Sequence, residues 1–249
     1  MNRDPNWQQC HIMTTPRLLD LYCGAGGAAV GYHRAGFDVT GVDNRPQPRY
    51  PFEFVQGDAL EYVAAHGSEF DAIHASPPCQ AYSVSRTRSP HRKSHPELVE
   101  ATRNACLDAR RAYVIENVPG APLLFPTQLC GTMFDLGADC EDGQYRPLRR
   151  HRLFEMSWTV LSAHPRACRC HLTGEKIGVY GNGGGWANRF DPDRAGYKGN
   201  VAESRQALGI DWMTVAELSQ AIPPEYTRYV GEQLAAHLQR HAASREVAR

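Results

Sequence analysis

A cysteine behind two prolines is the residue of this sequence best placed to act as a nucleophile. Cys79 lies in the stretch Ser76-Pro77-Pro78-Cys79-Gln80, directly after the apolar segment 70–75, which predicts a short buried strand. Paired prolines end a strand and stiffen the loop that follows, because their φ angles are fixed and they lack N–H donors. Ligand crevices of open α/β sheets form at the carboxyl ends of the strands, so the thiol would face a substrate. The alternative is a free cysteine that only packs in the core.

A carboxylate at the end of a second apolar segment is the predicted partner of this cysteine. Segment 112–117 is apolar up to Glu116 and predicts another buried strand. The carboxyl ends of parallel strands meet at one edge of a sheet, so Glu116 and Cys79 are expected in the same crevice. A carboxyl group removed from water holds its proton more tightly and can act as an acid. The alternative role for Glu116 is to cap a turn.

A glycine-rich turn and two acids predict a nucleotide-type ligand at the same edge. The turn, residues 23–27, separates a predicted strand from a predicted helix, an arrangement that aims backbone N–H groups at a ligand. Asp43 follows about 20 residues later at the end of the next predicted strand, where a ribose-binding carboxylate belongs. Asp58 ends a third strand, near the expected adenine amino group. A dinucleotide site fits the glycines less specifically, and both acids could instead cap helices.

Two basic stretches could contact a phosphate backbone. Segment 84–95 follows the cysteine loop and holds four Lys or Arg, two His and no acid. Such a segment could close over DNA, with each cation adding salt-sensitive affinity, although a solvated surface loop is the alternative. Arg150 and Arg152 precede another predicted strand.

Residues 156–204 differ in character from the rest and predict a small separate lobe. They include Trp158, a glycine-rich run at 181–185 and the cluster His164-x-x-x-Cys168-x-Cys170-His171. The four side chains of that cluster could bind zinc. Cys-x-Cys is shorter than the usual Cys-x-x-Cys spacing, and adjacent Cys and His residues seldom bind one ion together, so the pattern favours no metal, with Cys168 and Cys170 as weak candidates.

Composition favours a globular protein without an overall nucleic-acid-binding charge. The 249 residues include 27 Lys or Arg and 27 Asp or Glu, so attraction to DNA would have to come from local patches. No apolar run is long enough for a membrane helix, and the first 15 residues contain no apolar signal core. The eight cysteines are therefore expected as reduced thiols in an intracellular protein.

Taken in order, these motifs resemble those of the DNA cytosine-5 methyltransferase family. The matching stretches are Asp-Leu-Tyr-Cys-Gly-Ala-Gly-Gly at 20–27, Pro-Pro-Cys-Gln at 77–80, Glu-Asn-Val at 116–118, Arg-x-Arg at 150–152 and Pro-Pro-x-Tyr at 223–226. The sequence departs from the family in having tyrosine for the usual phenylalanine at positions 22 and 82. It also has Leu148 in place of glutamine and Glu232 in place of asparagine.

The resemblance implies an α/β fold and a set of site residues. The expected fold is the Rossmann-like class I S-adenosylmethionine-dependent methyltransferase sheet, with helices on both faces and a small target-recognition lobe. The expected divisions are a loose extension at 1–15, a catalytic and cofactor-binding domain at 16–155, a target-recognition region at 156–204, a return to the catalytic domain at 205–240 and a tail at 241–249. The implied catalytic residues are Cys79, Glu116, Asn117, Arg150 and Arg152; those for S-adenosylmethionine are Asp20, Tyr22, Gly24, Gly26, Gly27, Asp43, Asp58 and Pro78; those for DNA are Ser83, Arg86, Arg88, Arg92, Lys93 and Arg189.

The implied reaction is methyl transfer to C5 of a flipped-out cytosine in double-stranded DNA, through a covalent bond between Cys79 and C6. A monomer is the expectation, although the sequence does not fix the oligomeric state. Three alternatives stay open at this point. The protein could be a catalytically silent DNA-binding or regulatory protein on the same scaffold. It could also act on RNA or single strands, or transfer a group other than methyl.

Overall fold

A seven-stranded sheet forms the centre of the molecule, seen in a computed structural model that describes residues 15–79, 97–159, 164–172, 174–180 and 196–247. The strands are β1 (Arg17–Leu21), β2 (Asp38–Asp43), β3 (Glu53–Gln56), β4 (Ala72–Ala75), β5 (Ala112–Asn117), β6 (Thr127–Leu129), β7 (Gly137–Asp139), β8 (Tyr145–Pro147), β9 (Arg152–Met156), β10 (Ile177–Gly178) and β11 (Tyr197–Lys198). The helices are α1 (Gly27–Arg34), α2 (Ala59–His66), α3 (Val99–Asp108), α4 (Val201–Leu208), α5 (Val215–Gln220) and α6 (Pro224–Val247).

The strand order places a crevice between β1 and β4. The order in the sheet is β3-β2-β1-β4-β5-β9-β6, and only β9 runs antiparallel to its neighbours. The direction of winding reverses at β1 and β4, and ligands bind outside the carboxyl ends of the strands at such a switch point. The glycine turn follows β1 and the cysteine loop follows β4, so both flank this crevice.

Helices cover both faces of the sheet, as the sequence predicts for a Rossmann-like methyltransferase fold. On one face, Tyr32 of α1 packs with Tyr226 and Val230 of α6. The two helices cross closely at Gly31, where an added Cβ would overlap the carbonyl oxygen of Pro224. On the other face, Val63 of α2 and other buried side chains pack against the strand residues Leu19, Leu21, Val42, Ile73 and Ile115.

A second hydrophobic cluster builds a small lobe beside the sheet. It joins Ala138 of β7, Ile177 of β10, Leu208 of α4 and Leu218 of α5. The lobe thus uses residues on both sides of the stretch 156–204, which the sequence predicts as a separate region. Residues 156–204 supply few apolar side chains to this cluster, so its core needs the β7–β8 hairpin and helices α4 and α5 as well.

Helix α6 is longer than the sequence suggests. It runs for 24 residues to Val247, through most of the segment 241–249 that the sequence predicts as a tail. Helix α2 and the β7–β8 hairpin are further elements that the sequence patterns did not predict. Within the described ranges, no helix combines the length and the apolar character needed to cross a membrane.

Candidate active site

The loop that carries Cys79 is held at two points. The N–H of Ser76 donates to the carbonyl of Leu21, at the end of the neighbouring strand β1, at 3.1 Å. The side-chain amide of Asn117 donates to the carbonyl of Pro77, at 2.9 Å. The carbonyl of Pro77 is therefore fixed from β5, and the two prolines supply the remaining stiffness. Asn117 acts on the loop and not on a reacting atom in this geometry.

Glu116 and Arg152 form a buried ion pair in the same crevice. Glu116 ends the apolar part of β5 and is 5% exposed. Strand β9 is antiparallel to β5, so its first residue, Arg152, lies next to the carboxyl end of β5. Arg152 Nε lies 3.0 Å from Glu116 Oε1, but this oxygen accepts no hydrogen bond among the described residues, so the contact is electrostatic. The Nη1 group of Arg152 donates to the His151 carbonyl at 2.9 Å.

The electrostatics of Cys79 place it in this group. Its half-buried thiol interacts with Arg152, Glu116 and Arg150, which brings together four of the residues predicted from sequence. Burial raises the pKa of the Cys79 thiol, and Arg152 and Arg150 lower it. The two arginines favour the thiolate, but burial and Glu116 outweigh them. The thiol is therefore protonated in the free protein at neutral pH.

Arg150 is a positioning residue in this structure. Its buried guanidinium donates to the Val179 carbonyl at 2.8 Å and to the Ser219 carbonyl at 2.9 Å. The hydroxyl of Tyr226 donates to the Arg150 carbonyl at 2.7 Å. The side chain thus ties the small lobe and the end of α5 to the segment before β9. The resemblance places Arg150 among the catalytic residues, and that role stays a prediction.

A chain of buried hydrogen bonds runs from Glu116 into the core. The hydroxyl of Ser76 hydrogen-bonds Glu116, and Ser76 Oγ lies 3.0 Å from His74 Nε2. The other ring nitrogen of His74, Nδ1, lies 2.9 Å from the hydroxyl of Tyr32. Burial lowers the pKa of His74 to about 3, so the ring is neutral and donates with one nitrogen while it accepts with the other. Burial raises the pKa of Glu116, opposed in order by Arg152, Ser76 and Arg150.

Replacing Ser76 with alanine is expected to move the alkaline limb of the rate profile to higher pH, if turnover needs the protonated Glu116. The hydroxyl favours the carboxylate, so its removal raises the pKa of Glu116 further and keeps the acid form at higher pH. A hydrogen bond to a charged group contributes about 1.5 kcal/mol, which corresponds to a shift of about one pH unit. Rates measured from pH 6 to 10 would show it. The control Ser204→Ala removes a buried hydroxyl that contacts the Gly199 carbonyl and should leave the limb in place.

The glycine turn is shaped to receive a ligand. Gly24 and Gly26 have φ angles of +49° and +83°, which L side chains rarely adopt. A Cβ on Gly27 would lie 2.6 Å from the carbonyl oxygen of Ile222. Among the described residues, α1 has no side-chain N-cap and no acid in its first turn. Its N-terminal N–H groups are therefore suited to the carboxylate of a ligand.

Asp43 lies beside this turn, as the sequence predicts. Its carboxylate accepts the Gly24 N–H at 3.1 Å and the Arg45 N–H at 3.0 Å. Each carboxylate oxygen has a second lone pair, so ribose hydroxyls could still donate to it. The indole N–H of Trp212 donates to the Ala25 carbonyl at 2.9 Å and holds the turn from the small lobe. Trp212 was not predicted, because only the tertiary fold brings it there.

The other predicted cofactor residues have different surroundings. One oxygen of Asp58 accepts the N–H groups of Leu60 and Glu61, so this residue caps α2, the alternative considered for it. Tyr22, with a φ of +58°, hydrogen-bonds Thr102 at 3.1 Å.

Asp20 is a buried acid without a full set of partners. It is 1% exposed, and its Oδ1 has no hydrogen-bond partner in the described part of the chain. Burial raises the pKa of Asp20 to about 8. Asp20 is thus buried within β1, and its contact with the cofactor stays a prediction.

Of the remaining predicted residues, one lies in the described part of the chain. Pro78 is half-buried beside Cys79. The predicted DNA-contacting residues Ser83, Arg86, Arg88, Arg92, Lys93 and Arg189 lie outside the described residues.

The four side chains of the sequence cluster His164-x-x-x-Cys168-x-Cys170-His171 do not meet at one point. His164 Nδ1 accepts the Arg166 N–H at 3.1 Å, and its ring packs on Phe134. His171 is exposed. Cys168 and Cys170 do lie close together, with their sulfurs 3.4 Å apart. His164 is thus bound to the Arg166 backbone, and His171 is exposed to solvent.

Comparison with known proteins finds a family similar to the first half of the described sheet, residues 16–122. Residues 16–122 match the family of C-5 cytosine-specific DNA methylases. The matched segment is less than half of this chain, and it is similar to that family. Type II methyltransferase M.XorII of Xanthomonas oryzae pv. oryzae is 33% identical over 125 residues, which are 43% of this chain and 29% of the relative. Type II methyltransferase M.AquIA of Picosynechococcus sp. is 29% identical over 126 residues, 42% of this chain and 49% of the relative. The match spans less than half the length of either curated relative.

Solved structures share the fold of this chain. The S. pombe Dnmt2 methyltransferase superposes with a TM-score of 0.55 at 12% identity, over 89% of this chain and 99% of the other. The Entamoeba histolytica methyltransferase EhMeth superposes with a TM-score of 0.50 at 13% identity, over 90% and 98%. These likenesses confirm the predicted methyltransferase fold.

The methylase family implies S-adenosylmethionine as the cofactor, and the residues of the crevice fit it. The glycine turn with the open end of α1 suits the carboxylate of its methionine part. The lone pairs that Asp43 retains suit ribose hydroxyls. Asp58 retains one carboxylate oxygen that accepts no bond within the described ranges, and that oxygen could accept from the adenine amino group.

Proposed function

We propose that this protein transfers a methyl group from S-adenosylmethionine to C5 of cytosine in double-stranded DNA, through a covalent bond between Cys79 and C6 of the base. The observation that carries the proposal is the convergence of Cys79, Glu116 and Arg152 at the carboxyl end of β4 and β5, next to the glycine turn. A nucleophile, a buried acid and a fixed cation are what the reaction needs.

The first step is the attack of the Cys79 sulfur on C6. C5 of cytosine is a poor nucleophile, and addition of a thiolate at C6 converts the ring into an enamine that can attack from C5. Because burial raises the pKa of Cys79, the thiol must lose its proton when the substrate is in place. Arg152 and Arg150 then stabilise the thiolate that forms.

Glu116 and Arg152 act on the opposite edge of the base. A protonated Glu116 would donate to N3 and neutralise the charge that builds up on the ring during attack. Its raised pKa keeps the acid form available to a higher pH than for an exposed glutamate. The guanidinium of Arg152 makes no hydrogen bond to Glu116 Oε1 and would donate to O2 of the base.

The second half of the reaction transfers the methyl group and releases Cys79 from the base. When bound, S-adenosylmethionine supplies an electrophilic methyl group. The activated C5 would accept that methyl group, and the thioether that remains of the cofactor would leave. A base then removes the C5 proton, the electrons of that C–H bond restore the C5–C6 double bond, and the Cys79 sulfur leaves.

The target cytosine must leave the helix to reach this crevice. C5 and C6 lie within the stacked duplex, and flipping a base out costs a few kcal/mol. We propose that the basic segment 84–95 and Arg189 contact the phosphates and offset this cost. We propose that the protein acts on DNA in the cytoplasm of a bacterium or of a phage-infected cell.

Base-resolution sequencing of DNA treated with the purified protein tests the proposal. We expect 5-methylcytosine at one short recurring sequence when S-adenosylmethionine and duplex DNA are present. Omission of S-adenosylmethionine should leave the DNA unchanged. Matched single-stranded DNA and RNA are tested in parallel. Methylation of RNA alone, or modification of none of the three, would contradict the proposal.

A further inference from the structure

Four metal-binding side chains from three separate segments meet beside β9. Cys130 follows β6, His151 directly precedes β9, and Cys168 and Cys170 lie in the turn 164–172. One ligand atom from each lies within 4.8 Å of those from the others. The set shares two cysteines with the cluster seen in the sequence, but Cys130 and His151 replace the two histidines expected there.

The separations match the edges of a tetrahedral site. Cys168 Sγ and Cys170 Sγ are 3.4 Å apart, and His151 Nε2 lies 3.5 Å from the first and 3.3 Å from the second. Tetrahedral zinc, with bonds of about 2.3 Å to sulfur and about 2.0 Å to nitrogen, requires sulfur–sulfur edges of about 3.8 Å and sulfur–nitrogen edges of about 3.5 Å. The observed edges come within a few tenths of an ångström, which a small outward shift of the thiols would supply.

The surroundings favour a closed structural site. Cys130 is fully buried and Cys170 is 6% exposed. The hydroxyl of Thr132 lies 3.6 Å from the sulfur of Cys130 and 3.8 Å from that of Cys168, within hydrogen-bonding range of both. Such outer contacts orient the ligands of a metal site. Three thiols and one imidazole without an open position are the ligand set of structural zinc.

The turn is held in place by contacts other than the four ligands. The backbone N–H of Arg169 donates to the hydroxyl of Thr132 at 3.1 Å. Arg166 and Arg169 form ion pairs with Asp135, and the ring of His164 packs on Phe134. The sulfurs of Cys168 and Cys170 are therefore directed toward His151 by the fold itself, which lowers the cost of assembling a metal site.

We propose that Cys130, His151, Cys168 and Cys170 bind one Zn²⁺ ion in a structural Cys₃His site. The site joins the turn 164–172 to the β6 and β9 region of the sheet. His151 lies between Arg150 and Arg152, so the metal would also fix the backbone that presents Arg152 to Glu116. Zinc binding itself does not depend on the proposed reaction and can be tested without any methylation assay.

Metal analysis of the full chain, purified under reducing conditions without chelator and dialysed against buffered Zn²⁺, tests the site. We expect one zinc per chain by mass spectrometry of the metal. Cys168→Ser and Cys170→Ser should each lower the zinc content to below half. Cys140→Ser changes a buried cysteine whose thiol contacts the Ala138 carbonyl, away from the cluster, and should retain the full content.

A second set of measurements uses the unaltered protein and therefore does not depend on the folding of any variant. The unaltered protein loaded with Co²⁺ should show the visible absorption of tetrahedral cobalt together with thiolate-to-cobalt charge-transfer bands. X-ray absorption of the zinc form should fit three sulfurs and one nitrogen. Three results would overturn the proposal. The first is a protein without zinc after dialysis. The second is a protein mass lower by two hydrogens in the reduced preparation, which would show a Cys168–Cys170 disulfide, and the third is an equal zinc content in the Cys170→Ser variant.

Discussion

Replacing Cys79 with alanine is expected to abolish methyl transfer while S-adenosylmethionine still binds. The sulfur forms the covalent bond on which every later step depends, and loss of a catalytic nucleophile costs on the order of 10⁶-fold in rate. The glycine turn and Asp43 belong to a different loop and keep their contacts. Transfer of a labelled methyl group to duplex DNA measures the first effect, and calorimetric titration of the cofactor measures the second.

Cys106→Ala is the matched control for this variant. Cys106 is also a free cysteine, but it is fully buried on α3 among apolar neighbours. Its loss should lower stability by the cost of a small cavity and leave the rate per folded molecule unchanged. Methyl transfer by Cys79→Ala at more than a trace of the original rate would remove Cys79 from the mechanism.

Glu116→Gln is expected to slow turnover by two to four orders of magnitude. Glutamine keeps the size of the side chain and can still donate an N–H, but it cannot deliver a proton to N3, and positioned acids contribute about 10²–10⁴-fold. The substitution also leaves Arg152 without its charged partner and should lower the stability of the fold, so the rate is given per folded molecule. Single-turnover rates with saturating cofactor and DNA would separate the chemical step from binding.

Glu155→Gln is a close structural control. Glu155 is likewise a buried glutamate paired with an arginine, and Arg103 Nε donates to it at 2.7 Å. The loss of that pair should lower the stability of the fold, since it leaves Arg103 without its charged partner. The rate per folded molecule should stay unchanged, because Glu155 of β9 lies opposite Ile115 and not opposite Glu116. A Glu116→Gln variant as active as Glu155→Gln would contradict the role of Glu116.

The sequence could predict the sheet and the loops at its edge because those signals are local. Pro77 and Pro78 end β4 wherever the rest of the chain lies, and the glycines of the turn need positive φ angles that other residues rarely adopt. The ordered spacing of Asp43, Cys79 and Glu116 then assigns each to a strand end of one parallel sheet.

The remaining features depend on contacts between distant segments. His74 lies in an apolar strand, which hints at a special role, but its bond to Tyr32 of α1 needs the helix to pack on that face. Arg150 is bound by backbone carbonyls of Val179 and Ser219, which carry no side-chain signal. The Cys₃His set could not be found from spacing alone, because the fold brings Cys130 and His151 to Cys168 and Cys170.

Trapping on DNA that contains 5-fluorocytosine is the most direct measurement of whether Cys79 and the cofactor act on the same base. Fluorine at C5 leaves no proton to remove, so a bond from sulfur to C6 cannot be broken after methyl transfer. The mechanism predicts a denaturant-resistant complex only when S-adenosylmethionine is present, with the nucleotide attached to the peptide that contains Cys79. Normal methylation of unmodified DNA without any such complex, or attachment to another residue, would contradict it.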